Sequence, residues 1–144
     1  MKINYQILEQ KINIKFKNKS LLEQSLTHKS FDTNKNNEKI EFLGDRVLGL
    51  VIAKKLLDIY PGEKEGILDK KFASLVNRNT CLDIAKKINL DRFILTFNPS
   101  NKKIHIEDKI ISDSCEALIG AIYLDKGLNI AEKVILDLWQ NHIK

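Results

Sequence analysis

Few residues in this chain interrupt a helix. Among its 144 residues are only two prolines and six glycines. Valine-rich alternating runs, the signature of half-buried strands, are absent as well. Cys81 and Cys115 are the only cysteines. They have no paired spacing and no histidine at metal-ligand distance, which excludes a disulfide framework and a zinc site of the usual kind. Both read as reduced core thiols. The N-terminus has no apolar stretch closed by small residues, so no secretory signal is legible. The longest apolar stretch, residues 47–57, is interrupted by Lys54-Lys55 and is too short to span a bilayer. No membrane partner is expected, and the compartment these absences suggest is the cytoplasm.

What is there fits a globular protein: 43% of residues are apolar and 30% charged. The length suits one domain with a real apolar core. Lysine and arginine number 24 against 19 acids, a net charge of +5 that permits a polyanionic partner without demanding one. The excess is uneven. Lys11, Lys15, Lys17, Lys19, Lys29, Lys35 and Lys39 face only Glu23, Asp32 and Glu38 in the same stretch, and Lys102-Lys103 forms a second cluster near Pro99. Composition alone favours a solvated, lysine-rich surface.

Apolar residues recur at helical spacing almost throughout. Helices are expected over residues 5–12, then from an N-cap at Ser20 to about His28. There Glu23 stands three residues after the serine, as in a capping box. The asparagine-rich residues 31–37 read as a loop. A long helix follows over 38–60, stopped by Pro61-Gly62. Further helices are expected over 68–76, 80–88, 107–124 and 128–143, with a helical turn over 90–95. A polar loop is expected over 96–103, and a C-cap at Gly127. No strand and no internal repeat is legible. The expected fold class is all-α, a single compact helical domain.

Two of these helices carry acids where a core helix has no use for them. Glu38, Glu41 and Asp45 occupy positions i, i+3 and i+7 of one, and Asp113 and Glu116 are three apart on the other. Residues four apart lie about 40° apart around the axis and about 6 Å along it, so Glu41 and Asp45 share a face. Like charges stacked this way repel, and near a core they also lose hydration. A hard divalent cation resolves both problems, and oxygen ligands point to Mg²⁺, with Mn²⁺ as a substitute. Such an ion activates water and stabilises charge developing on a phosphodiester. The ordinary alternative is a solvated acidic face, and spacing cannot choose between the two. Gly44 tilts the balance slightly: a mid-helix glycine costs about 1 kcal/mol and points to close approach of another segment.

The run Glu38-Lys39-Ile40-Glu41-Phe42-Leu43-Gly44-Asp45-Arg46-Val47-Leu48 resembles the signature helix of the ribonuclease III family, Glu-x-x-Glu-Phe-Leu-Gly-Asp and, after one residue, an apolar pair. Asp113 through Asp125 is similar to that family's second catalytic helix, Asp-x-x-Glu-Ala-Leu-Ile-Gly-Ala-x-Tyr-Leu-Asp. Leu26-Thr27-His28-Lys29-Ser30 matches its Leu-Thr-His-x-Ser, and Gly66-x-Leu68 and Leu75-Val76 fit more weakly. The likeness runs over essentially the whole chain and implies one endonuclease domain over residues 1–144.

The resemblance implies that Glu41, Asp113 and Glu116 ligate metal, and that Asp45 and Glu116 act on water. Glu38 takes a supporting part near the site. It implies cleavage of double-stranded RNA to 5′-phosphate and 3′-hydroxyl ends by a homodimer whose protomers cut opposite strands, ribosomal precursors being typical family substrates. Phe42, which as an apolar helix residue would by default be core, is implied to enter a pocket of the partner subunit. His28 reads as structural, and His105 and His142 belong to no constellation. The chain departs from the family in two respects. Asn98-Pro99-Ser100-Asn101-Lys102-Lys103 stands where relatives often carry Ser-Gly-Gly and arginines. Bacterial members also usually continue into a double-stranded-RNA-binding domain, and these 144 residues hold none. A relative that binds RNA without cutting it is the alternative, and the intact set of four acids speaks against it.

Overall fold

The computed structural model describes residues 3–97 and 105–143. The expected polar loop through Pro99 and the Lys102-Lys103 cluster therefore lie largely outside the described residues. Seven α-helices make up the described part: α1 (Tyr5–Ile12), α2 (Lys19–Ser25), α3 (Glu38–Ile59), α4 (Glu65–Val76), α5 (Arg78–Lys87), α6 (Asp108–Lys126) and α7 (Leu128–Trp139). A 3₁₀ turn at Leu90–Phe93 follows α5. Among the described residues the only sheet-like pairing is an isolated bridge between Thr27 and Leu95, which ties the end of α2 to the end of the 3₁₀ turn. The all-α class expected from periodicity is the class observed.

α6 is the central element. Ile111, Ser112, Ser114, Cys115 and every residue from Ala117 to Ile122 are buried, so the helix is enclosed nearly all round. α2, α3, α5 and α7 pack around it. The closest approach is to α3. A Cβ added to Gly44 would overlap the carbonyl oxygen of Glu116 and come within 2.9 Å of the amide nitrogen of Gly120. A Cβ added to Gly120 would in turn overlap the carbonyl oxygen of Ile40 and sit 3.0 Å from the Gly44 nitrogen. The two backbones touch because neither position carries a side chain. At the far end, Trp139 is fully buried and donates its indole N–H to the Leu75 carbonyl (2.8 Å), pinning α7 to α4. Cys81 and Cys115 are buried free thiols. Burial pushes Cys81 up to about 12 and raises Cys115 as well, so both are unreactive packing groups.

Several boundaries differ from those expected. The N-cap of α2 is Asn18, whose side chain accepts from the Leu21 N–H (3.1 Å); Ser20 lies inside the helix and accepts from the Lys35 ammonium instead (2.8 Å). Glu23 then stands five residues after the cap, out of capping-box position, and the Asn18 N–H donates to Asp125 (3.0 Å). α2 also ends at Ser25, before His28. α4 begins at Glu65, three residues earlier than expected, with Gly66 in its exposed first turn. α5 begins at Arg78, capped by Asn77 accepting from the Thr80 N–H (2.9 Å). α7 stops at Trp139, where the amides of His142 and Ile143 turn back to the Trp139 carbonyl.

Candidate metal centre

The acids singled out in the sequence flank the glycine crossing. Glu41 and Asp45 lie on α3 to either side of Gly44, and Asp113 and Glu116 on α6 precede Gly120 by two turns and one turn respectively. With the helix axes drawn together by the two glycines, Glu41, Asp113 and Glu116 each present a carboxylate oxygen within 4.8 Å of the others. All three are partly buried. Asn37 fixes the start of α3 in this arrangement. It is buried, its amide donates to the Ser25 carbonyl (3.1 Å) and the Ser114 hydroxyl (3.4 Å), and its carbonyl accepts the Glu41 N–H (2.8 Å). One side chain thus ties α2, α3 and α6 together beside the acids.

The electrostatics are those of a crowded anion cluster. Glu116 is pushed up to about 8 by burial first, then by a hydrogen bond shared with Asp45 and the negative charges of Asp45, Glu41 and Asp113. Glu41 is raised by burial and by Asp113, with Lys109 opposing. Asp45 stands outside the triad of converging oxygens but in contact with Glu116, and its Oδ2 lies 3.3 Å from the Arg46 guanidinium. Glu38 sits at the exposed rim, 3.8 Å from the Lys29 ammonium. Three converging carboxylates with too little neutralising charge form a donor set suited to a hard divalent cation.

An open cleft of about 170 Å³ leads to the cluster, lined by His28, Lys29, Asn37, Glu38, Glu41, Lys109, Ile110 and Asp113. The His28 ring nitrogen Nδ1 accepts the Ser30 N–H (3.2 Å) and is 2.8 Å from the Ser30 hydroxyl, which orients the ring. Burial, and then Lys29, lower its pKa, so it is neutral near pH 7. Lys109, Asn37 and Gly120 were not singled out in the sequence. Gly120 left the same mid-helix signal as Gly44, and Lys109 only its i,i+4 spacing to Asp113, which is shared by many surface pairs.

Phe42 does not belong to the core. Its ring is 62% exposed, and the Arg46 guanidinium stacks over it at 4.0 Å. Leu50 and Leu57, also exposed, lie within about 80° of Phe42 around α3 and continue an apolar stripe along the helix. Large apolar side chains in such a row mark an interaction surface more often than a solvent face. Among the described residues no helix is long and apolar enough to cross a membrane.

Comparison with known proteins agrees with this geometry. The family model described as Ribonuclease-III-like matches residues 18–142. A protein named Ribonuclease 3 from Pelagibacter ubique is 67% identical over 143 residues, covering 99% of this chain and 64% of its own length. One of the same name from Campylobacter jejuni is 43% identical over 136 residues, with 94% and 61% coverage. The chain thus spans about three fifths of the curated relatives it matches. A structure of the nuclease domain of ribonuclease III from Campylobacter jejuni, described for flexibility in its region involved in dimer formation, superposes with a TM-score of 0.89. It is 41% identical and covers 97% of this chain and 99% of that one. A Dicer structure from Pichia stipitis is more distant, with a TM-score of 0.69, 26% identity, and coverage of 88% of this chain and 56% of that one.

Proposed function

The chain belongs to the ribonuclease III family, and from that membership and its acidic cluster we propose that it is a metal-dependent endoribonuclease domain cutting double-stranded RNA as a homodimer. The observation that carries the proposal is the meeting of Glu41, Asp113 and Glu116 at the Gly44–Gly120 crossing. These three residues would hold Mg²⁺, with Mn²⁺ as a substitute. When bound, the ion supplies a more acidic water and a positive charge for the phosphodiester in its transition state.

The remaining roles belong to the chain's own groups. Asp45, in contact with Glu116, holds water and takes its proton, and Glu116 serves as both ligand and proton acceptor. Glu38 supports the site from the rim of the cleft, where its pair with Lys29 keeps a cation beside the path of the RNA backbone. Hydrolysis leaves 5′-phosphate and 3′-hydroxyl ends. Phe42 and the stripe that continues it supply the dimer contact, and two clefts in one dimer then cut opposite strands with a stagger. The stripe's exposure supports this, since a monomer has nothing to cover it. We read residues 1–144 as one catalytic domain acting in cytoplasmic RNA processing.

The direct test is incubation of a long RNA duplex with the chain in Mg²⁺ and in EDTA. Cutting in Mg²⁺ alone, with phosphate on the 5′ ends, is the expected result. Duplex binding without cutting under both conditions overturns the proposal in favour of an RNA-binding relative that lacks catalysis.

A further inference from the structure

Each outer acid of the cluster carries a cation of its own. Glu38 faces Lys29 at 3.8 Å and Asp45 faces Arg46 at 3.3 Å. Within the converging triad only Asp113 carries one among the described residues: the Lys109 ammonium lies 2.7 Å from its Oδ2. The pair is one helical turn apart on α6 and opens onto the cleft. Its two halves are unequally placed. The Asp113 side chain is 24% exposed and held by the buried helix, whereas the Lys109 side chain is 60% exposed and has solvent to swing into. The same ammonium is close enough to Glu41 to act on it electrostatically.

We propose that Lys109 is a built-in counter-ion of the metal centre, which competes with the divalent cation for Asp113 and so sets how tightly that cation is held. The inference rests on the reading that Glu41, Asp113 and Glu116 form the metal site. Without metal, the ammonium offsets part of the repulsion among the acids. With metal, a single positive charge within a few ångström of a double one is repelled whichever Asp113 oxygen the ion takes. Lys109 then leaves Asp113 for the solvent side of the cleft. Affinity is therefore lower than the three carboxylates alone would give. Water-like screening at this separation makes the effect on the order of tenfold. Lys109 is in this sense a positioning residue, acting through Asp113.

The test is calorimetric titration of the metal-free chain with MnCl₂, using wild type, Lys109→Gln and Lys109→Arg. The glutamine removes the charge while keeping a polar side chain of similar reach. The arginine keeps the charge, which distinguishes electrostatics from a packing role. The expected result is a Kd for Mn²⁺ about tenfold lower in K109Q than in wild type, with K109R near wild type. At one fixed Mn²⁺ concentration, the rise in melting temperature on adding metal is also larger for K109Q. Equal or weaker Mn²⁺ binding by K109Q overturns the counter-ion role while leaving the metal centre standing. A wild type that takes up no Mn²⁺ overturns the metal centre itself.

Discussion

Replacing Glu116 with glutamine removes one metal donor and one crowded charge at once, and the two losses have opposite effects on stability. In the metal-free protein the Glu116 carboxyl titrates near 8 instead of 4.5. The folded state therefore holds a proton there that the unfolded chain has already lost. Stability falls as pH rises from about 4.5 through about 8, and the loss is complete above that range. At 1.36 kcal/mol per decade, the displacement sets a ceiling of about 5 kcal/mol. Burial of Glu116 is the largest cause of the shift and Asp45 the next. Glu116 is only partly buried, however, and the Asp45 side chain is 52% exposed, so solvent screens much of the effect and about 2 kcal/mol remains. For a chain of this length that is roughly 6 °C in melting temperature. In EDTA, Glu116→Gln therefore melts about 6 °C above wild type at pH 8.5, and the gap closes toward pH 5. Saturating Mg²⁺ reverses the order, because only the wild type keeps all three donors. Duplex cleavage by the variant is lost. Circular-dichroism melts at several pH values, with and without metal, and a gel assay read out all of this. A variant that melts below wild type at pH 8.5 in EDTA refutes the crowding, and one that cuts at a near wild-type rate refutes the site.

Gly44→Ala drives a methyl group into the Glu116 carbonyl, where both neighbours are backbone and cannot give way. It costs about 3 kcal/mol and weakens Mn²⁺ binding, and a melting temperature within 2 °C of wild type would rule out the helix contact. Phe42→Ala removes the exposed anchor of the proposed interface, about 2 kcal/mol or more, so sedimentation shows a dimer Kd raised about thirtyfold, whereas an unchanged Kd takes Phe42 out of the interface. Duplex RNA is contacted mainly through phosphates and 2′-hydroxyls, and the lysine excess suits that task. Cleavage by these 144 residues accordingly falls steeply with KCl, and a flat profile means uncharged contacts dominate.

Helix positions were legible because they depend on local periodicity, which the core strip of α3 repeats cleanly, whereas α6 is buried nearly all round and was legible from its length and its bounding residues. Boundaries were less so, because a cap is a competition that distant residues can settle. Ser20 and Glu23 match a capping box, but Asn18 takes the cap instead, its own N–H held by Asp125 over a hundred residues away. Nothing near Ser20 in the chain announces that. The acids posed the same difficulty on a larger scale. Asp113 and Glu116 at i,i+3 describe a solvated face equally well, and the difference lies in what stands opposite them. Gly44, read for a local cost that pointed across the fold, shares that cost with Gly120, and the structure shows why. The site and the tightest helix contact are the same place: omitting two side chains brings the helix axes together, and the carboxylates beside them have no choice but to converge. A substitution that widens the crossing therefore disturbs stability and the acidic cluster together, whereas one at Lys109 alters the cluster's charge and leaves the crossing closed. Comparing Gly44→Ala with Lys109→Gln for both melting temperature and Mn²⁺ affinity separates the geometric contribution to the site from the electrostatic one. The expected pattern is loss of both for the first, and a gain in affinity with little change in fold for the second.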